Sequence, residues 1–476
     1  MRAPSLSLLA ACLVGLGCTV GPDFHRPATP ADSAYAGSVP SETVVADGAA
    51  QRFVEAKSIP AHWWRMFGSP ALDATVERAL VGNPGLAASR AALRRSQDSL
   101  RAGYGVFLPQ VDARAGASRQ LSNTAPGVLP SSEFNLYTLS GTVSYGIDLW
   151  GGGRRQVEAL GAAVDAQRYT LAAAYVMLTS NVVDALIAQA AYQAQIDVTK
   201  ELLTLLQKQV ATARSQASAG TAPYSNVLSL ESQLASTRAQ LPPLQAKIDE
   251  TASLLAALSG LTPADWGQPS MQLTDLVLPR ELPVTVPSRL VRQRPDVLVA
   301  EAVLHAANAN IGVATAAMLP NLTLSGSYGV GATSGPAASF WSLAAGVTQP
   351  LFRGGTLDYQ RRAAIDARDE AAANYRATVL AAFQQVVNAL RGLEHDAESV
   401  DAQRAAVTAA EKAVRLIEAN YRAGLVTYLP VLVADVQYQQ AKSAYAQASA
   451  QRLQDTVALF VALGGGWWND PEAVRE

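Results

Sequence analysis

Cys18 is the residue in this sequence with the clearest chemistry of its own. It follows Gly15-Leu16-Gly17, and small residues ahead of a cysteine suit acylation of a lipoprotein N-terminus. Met1-Arg2 supplies a positive start, and Leu6 to Leu16 is an apolar stretch of signal length. Residues 1–17 therefore read as a lipoprotein signal, with Cys18 as the acylated first residue. The usual motif has Leu three places before the cysteine; here that place is Gly15, with Leu16 one nearer. A plain signal peptide with an incidental cysteine is the other reading. Cys12 would leave with the signal, so cysteine would do no redox or metal work in the mature chain. Acyl chains would tether the N-terminus to a membrane without spanning it.

The remaining reactive groups are not arranged for catalysis. His25, His62, His305 and His395 are scattered, and none has a second ligand at metal spacing. Gly151 to Gly153 and Gly354-Gly355 lack the following Lys-Ser/Thr of a phosphate loop, and read as turns where strand becomes helix. The run Glu394 to Glu398 fits a solvated helix face. Asn321-Leu322-Thr323 matches a glycosylation sequon, a three-residue match too short to carry a function by itself. Trp63-Trp64 and Trp467-Trp468 read as packing anchors rather than a ligand box. The expectation is no enzyme, no metal and no cofactor.

The elements behind these residues are set by a composition poor in charge. The 476 residues are 49% hydrophobic, 16% charged and 7% aromatic, with a formal net charge of −2. Such a chain has no basic surplus for phosphates, which disfavours nucleic-acid partners. It is also too apolar for a disordered chain. Past the N-terminus there is no uninterrupted apolar run of about 18 residues, so no ordinary membrane helix is expected.

The chain repeats itself. Asn83-Pro84 and Phe107-Leu108-Pro109 bracket a helical stretch, as do Arg294-Pro295 and Met318-Leu319-Pro320, 211 residues later at both ends. Leu149-Trp150-Gly151-Gly152 answers Leu351-Phe352-Arg353-Gly354 at 202 residues. Ala219-Gly220 answers Ala423-Gly424 at 204, and Ala257 to Gly260 answers Ala462 to Gly465 at 205. Four landmarks in one order indicate a duplicated unit. The expected division is a signal over 1–17, a lipid-anchored linker over 18–68, a first repeat over 69–265, a linker over 266–286, a second repeat over 287–466 and a tail over 467–476.

Each repeat reads helix, strand, strand, long helix, helix. Strands are expected at 109–121 and 134–149, then at 320–330 and 340–352. In the second of these, Tyr137, Leu139, Val143, Tyr145, Ile147 and Leu149 alternate with Thr138, Ser140, Thr142, Ser144 and Asp148. Period two fits a half-buried strand of any sheet. It equally fits a membrane barrel, apolar toward lipid and polar toward a lumen. Context favours the barrel, because four strands in an open sheet leave edges that lipid cannot satisfy. Four strands cannot close around a pore; three chains would give twelve. The stretches Ser122–Glu133 and Gly331–Ser339 suit turns at the outer rim. Long helices are expected over 153–219 and 354–423, each about 100 Å at 1.5 Å per residue. Helices over 224–259 and 425–463 follow them, and Pro242-Pro243 should kink or break the former.

Several motifs, in order, now carry a resemblance: Cys18 to Asp23, Trp63-Trp64 with Phe67 and Pro70 to Leu72, Asn83-Pro84, Ala423-Gly424 with Tyr428 to Leu432, and Ala462 to Trp467. The sequence resembles the outer membrane factors of tripartite efflux pumps, the TolC-like channels, and most closely their OprM- and NodT-like lipoprotein branch. The resemblance covers essentially the whole mature chain. It implies a mainly α chain with a membrane β-barrel: a homotrimer whose twelve-stranded barrel stands on a long α-helical periplasmic tunnel in a Gram-negative outer membrane. It implies a periplasmic adaptor and an inner-membrane transporter of the RND type as partners, and a passive exit duct as function.

The same resemblance makes the hairpins at Gly220 and Gly424 the closable end of the tube, where they would otherwise read as turns with glycine at the helix C-cap. The tip residues Gly220, Thr221, Ala222, Gly424, Leu425, Val426 and Thr427 would meet the adaptor. Tyr421 occupies the place of a gating tyrosine, with Ser225, Asn226, Val433 and Asp435 as further aperture candidates. Positions where the family commonly has Asp hold Asn226 and Val433, and Asp435 is the nearest acid. A full carboxylate ring is therefore not expected. Type I protein secretion is the other transport reading, and a lipid-anchored periplasmic spacer without a pore is the reading from another class.

Overall fold

A computed structural model describes residues 19–28, 41–47, 50–55, 57–122, 132–267, 269, 271–333 and 335–470. The expected signal, Cys18, residues 123–131 of the first rim turn and residues 471–476 of the tail lie outside them.

The chain is mainly helical. Short helices α1 (Pro70–Gly82) and α2 (Pro84–Gly103) precede strands β2 (Gln110–Ser122) and β3 (Ser132–Ile147). The 67-residue helix α3 (Gly152–Ser218) follows, then α4 (Tyr224–Arg238) and α5 (Leu241–Leu258). The second half runs α6 (Pro287–Leu290), α7 (Pro295–Ala316), β5 (Asn321–Ala332), β6 (Ala338–Thr348), the 67-residue α8 (Thr356–Arg422) and α9 (Leu429–Ala462). By length and apolar composition α3 and α7 could each cross a membrane; the most apolar 18-residue stretch of α3 is two-thirds buried inside the fold.

The break expected at Pro242-Pro243 is present: the stretch over 224–259 is two helices, because these prolines lack the N–H needed to continue α4 and instead occupy the first turn of α5. The stretch before the first strand is also divided, at Asn83. Its Oδ1 accepts from Leu86 N at 2.9 Å and caps α2, while its Nδ2 donates to Leu258 O at 2.8 Å. One expectation needs correction: the segments taken as linkers, 18–68 and 266–286, contain paired strands. Strands β1 (Arg52–Glu55) and β4 (Glu281–Val284) pair in parallel, Arg52 opposite Glu281 and Val54 opposite Pro283. Four residues are too few for period two to show.

The compact units do not follow the repeats. One holds residues up to Pro27, Ala92–Arg168 and Val299–Ala377; the other holds Ala28–Ala91, Tyr169–Leu298 and Thr378–Glu476. Each draws on both halves of the sequence. In the second unit Trp63, Trp64 and Phe67 are fully buried, with Trp63 against Phe460 at 5.3 Å between ring centroids and Trp64 against Tyr175 at 6.4 Å. Gln51, also fully buried, ties the β1 segment to α9 by donating to Thr456 Oγ1 at 3.0 Å.

Candidate functional site

The first unit is built on one antiparallel sheet in the order β2-β3-β5-β6. Directly opposed residues point to the same face, so the register decides what each face carries. Val111, Val143, Gly326 and Leu343 form one row; Ala113, Gly141, Tyr328 and Trp341 the next; Ala115, Leu139, Val330 and Ser339 a third. Four separate alternations thus merge into one apolar face. That face is bare: Trp341 is 72% exposed and Leu343 80%. The opposite face carries Asp112, Thr142, Ser327 and Ser342 in one row, with Ser327 and Ser342 hydroxyls 2.8 Å apart. Outer strands β2 and β6 each have one side unpaired among the described residues.

Where β3 ends, Asp148 caps α3: its carboxylate accepts from Gly153 N at 3.1 Å and Arg154 N at 3.0 Å. Beside this corner lies the chain that follows Cys18. Val20 N donates to Trp150 O at 2.9 Å. Arg155, whose side chain is buried, donates to Val20 O at 3.2 Å, Asp23 Oδ1 at 2.6 Å and Glu158 Oε2 at 2.7 Å. From α7, Asn308 Nδ2 donates to Pro22 O at 2.8 Å, and His305 stacks on Phe24 with centroids 4.2 Å apart. Gly21 has φ +91° and packs against Gly312, where a Cβ would stand 2.5 Å from the neighbouring Cα. Only glycine fits there.

The two hairpins, in the second unit, close in the same way. Thr221 N donates to Gln216 O at 3.0 Å and Leu425 N to Asn420 O at 2.9 Å, with Gly220 at φ +72° and Gly424 at φ +73°. These are Schellman closures, which need the left-handed residue that glycine supplies. Just inside the turns, Leu202, Leu206, Val210 and Ala213 of α3 pack with Val227 and Leu230 of α4 and Leu432 of α9. Tyr428 packs on this core, and Tyr421 meets it edge to face at 5.1 Å between centroids.

Gly220, Thr221, Gly424, Leu425 and Thr427 are exposed at the turns, with Ala222 and Val426 half-exposed. Ser225, Asn226 and Val433 are exposed as well, whereas Tyr421 is half-buried and Asp435 is buried. The fold brings Tyr421, Tyr428, Asp435 and Glu418 into one electrostatic neighbourhood. Among the described residues no hydrogen bond joins the Ser225 or Asn226 side chain to them. Gln209 of α3, 4% exposed, donates to Asp435 Oδ2 at 3.2 Å. That residue was not anticipated, although a polar residue interrupting the apolar stripe Leu202, Leu206, Val210, Ala213 is a signal the sequence contains.

Comparison with known proteins decides what the bare sheet belongs to. The family model described as outer membrane efflux protein matches residues 75–261 and 286–465. The chain belongs to that family. Relatives include the pyoverdine export outer membrane protein OpmQ of Pseudomonas aeruginosa, 30% identical over all of this chain and 99% of the relative. The probable efflux pump outer membrane protein TtgC of Pseudomonas putida is 28% identical over 98% of this chain and 96% of its own length. Among solved structures, the outer-membrane channel OprN superposes with a TM-score of 0.84 at 28% identity, covering 94% of this chain and all of the other. The protein is therefore an efflux channel of a Gram-negative outer membrane, the outer-membrane component of a pump. Among the described residues no three His, Cys, Asp or Glu side chains are grouped to hold a metal ion.

Proposed function

We propose that three copies of this efflux channel join their sheets edge to edge, β2 of one protomer to β6 of the next, into a twelve-stranded barrel above a periplasmic helical tunnel. The sheet carries this reading. It has an exposed apolar face, a polar face and two unpaired sides. Lipid offers no partner for free N–H and C=O groups, so a spanning sheet must close. Two copies would give eight strands, whose interior side chains fill; three give twelve, an even number within the bacterial range.

In this reading cargo passes through without chemistry. An RND-type inner-membrane transporter supplies the energy, and a periplasmic adaptor meets the exposed turns at Gly220–Ala222 and Gly424–Thr427. Cys18 carries the acyl anchor. Tyr421 with Tyr428 draws the closable end together, while the exposed Asn226 and Val433 leave the aperture without an acidic ring. The relatives named for pyoverdine export and for efflux support small organic molecules as cargo. The test is heat-modifiable trimer migration of the purified protein together with conductance in planar bilayers. A monomer without conductance would overturn the proposal, and a susceptibility panel on a deletion strain would identify the cargo.

A further inference from the structure

Asp435 is 4% exposed, on the part of α9 between Leu432 and Val436, both of which join the apolar core of the hairpin end. Its donor is Gln209 Nε2 on α3, at 3.2 Å. The other atom of that amide, Gln209 Oε1, is buried and has no hydrogen-bond partner among the described residues. From α8, Glu418, paired with Arg422 at 3.0 Å, and Tyr421 face this neighbourhood, and Tyr428, at the head of α9, has its hydroxyl beside the Gln209 side chain as well. From α4 come Val227 and Leu230; the acid of that helix, Glu231, is paired with Arg214.

An ionised carboxylate only accepts hydrogen bonds, and so does the orphaned amide oxygen. A neutral carboxylic acid facing a carboxamide can close a two-bond ring instead. The amide N–H donates to the acid carbonyl, and the acid O–H donates back to the amide oxygen. We propose that Asp435 and Gln209 form a proton-operated latch between α3 and α9, tight when Asp435 is protonated and loose when it is ionised. Burial, with the Glu418 charge adding to it, pushes the carboxyl up to about 6 against the opposing donation from Gln209. Mild acid thus completes the ring. Ionisation leaves a buried charge facing Glu418 and a buried oxygen unpaired, both of which cost stability.

The latch needs only the helix geometry; its effect on conductance rests on the channel reading above. The test is hydrogen exchange of the purified full-length protein over residues 202–213 and 429–440, corrected for intrinsic rates, at about pH 5 and about pH 7.5. Protection at the lower pH should be about twofold to tenfold greater, the value of one net hydrogen bond. Asp435→Asn, whose amide can donate to Gln209 Oε1, should give high protection at both pH values. Gln209→Met, which cannot form the ring, should lose the protection that the wild type gains at the lower pH beyond what burial of Asp435 and the Glu418 charge alone produce, so its pH difference should be smaller than that of the wild type. Bilayer conductance should be lower in acid for the wild type and independent of pH in Asp435→Asn. Equal wild-type protection at both pH values, or the same pH effect retained in Asp435→Asn, would overturn the latch. If the exchange result holds but no variant conducts at any pH, the latch stands and the channel reading falls.

Discussion

At the scale of single residues, burial has set the acids of the second unit against their ordinary behaviour. Asp184 on α3 and Asp396 on α8 both lie near Asp455 on α9. Burial first, and the Asp455 charge second, push each of them up to about 7. Asp184 Oδ1 and Asp396 Oδ2 are buried without hydrogen-bond partners among the described residues. A folded-state value above the unfolded one means that the native chain binds more protons. The stability this provides is full below about pH 4, the unfolded value, and is lost progressively as pH rises from there through about 7. Asp184→Asn should therefore stabilise the protein at about pH 8.5, on the order of 2 kcal/mol for a group this buried, and do little at about pH 4. Asp396→Asn should act in the same direction. Thermal melts at both pH values check this, and equal shifts at the two would contradict it. Little of this was legible in the sequence. Asp435 looked like an aperture acid because only its distance from the turn could be read. Its inward position follows from the apolar stripe of α9, where it lies three residues after Leu432. Arg155 with Asp23, or Arg452 with Gln51 at 3.0 Å, join positions far apart in the chain that no local pattern pairs.

At the scale of elements, legibility depended on length. Strands of eleven to sixteen residues displayed period two well enough to assign both faces before any register was known. The register then placed all four apolar sets on one side, which local alternation could not have done. The two four-residue strands were invisible, since their pairing is between segments and not within either. The broken helix at Pro242-Pro243 was legible because proline acts through its own covalent structure. Leu343→Arg should lower assembled yield, since an arginine near the lipid midplane costs about 2–4 kcal/mol. Thr142→Arg, on the polar face, should assemble and alter conductance. Equal yields of both variants would mean that the sheet faces the other way. The strap of residues Val20 to Phe24, which Arg155, Asn308 and His305 hold, makes a separate prediction. Arg155→Met removes the donor to Val20 O and Asp23, and hydrogen bonds to charged groups contribute about 1.5–3 kcal/mol. Limited proteolysis should then cut within residues 19–28 faster than in the wild type, with the sheet intact; unchanged cleavage would show that Asn308 and the Phe24–His305 stack hold the strap without it.

At the scale of the whole molecule, the duplication and the compact units describe different things. The repeat records how the sequence was built, and the units record which parts of both copies pack together. Two strands from each copy lie side by side in the four-stranded sheet, and two helices from each copy end at the hairpins. Neither copy alone could therefore make the sheet or the tip. The same logic extends to the anchor. A single acyl chain gives only marginal, reversible membrane binding, whereas the apolar face offers rows of exposed Tyr, Trp, Leu and Val from four strands. In the proposed closed barrel, that face would outweigh an acyl chain at Cys18. Cys18→Ser should accordingly remove the acyl mass from the mature protein while leaving it in the outer-membrane fraction as a heat-modifiable trimer. Mass spectrometry of the N-terminus and gel migration of the membrane fraction read the two halves independently. An unmodified cysteine in the wild type would refute acylation, and a Cys18→Ser protein that stays soluble in the periplasm would show that the anchor, not the sheet, brings this channel into the membrane.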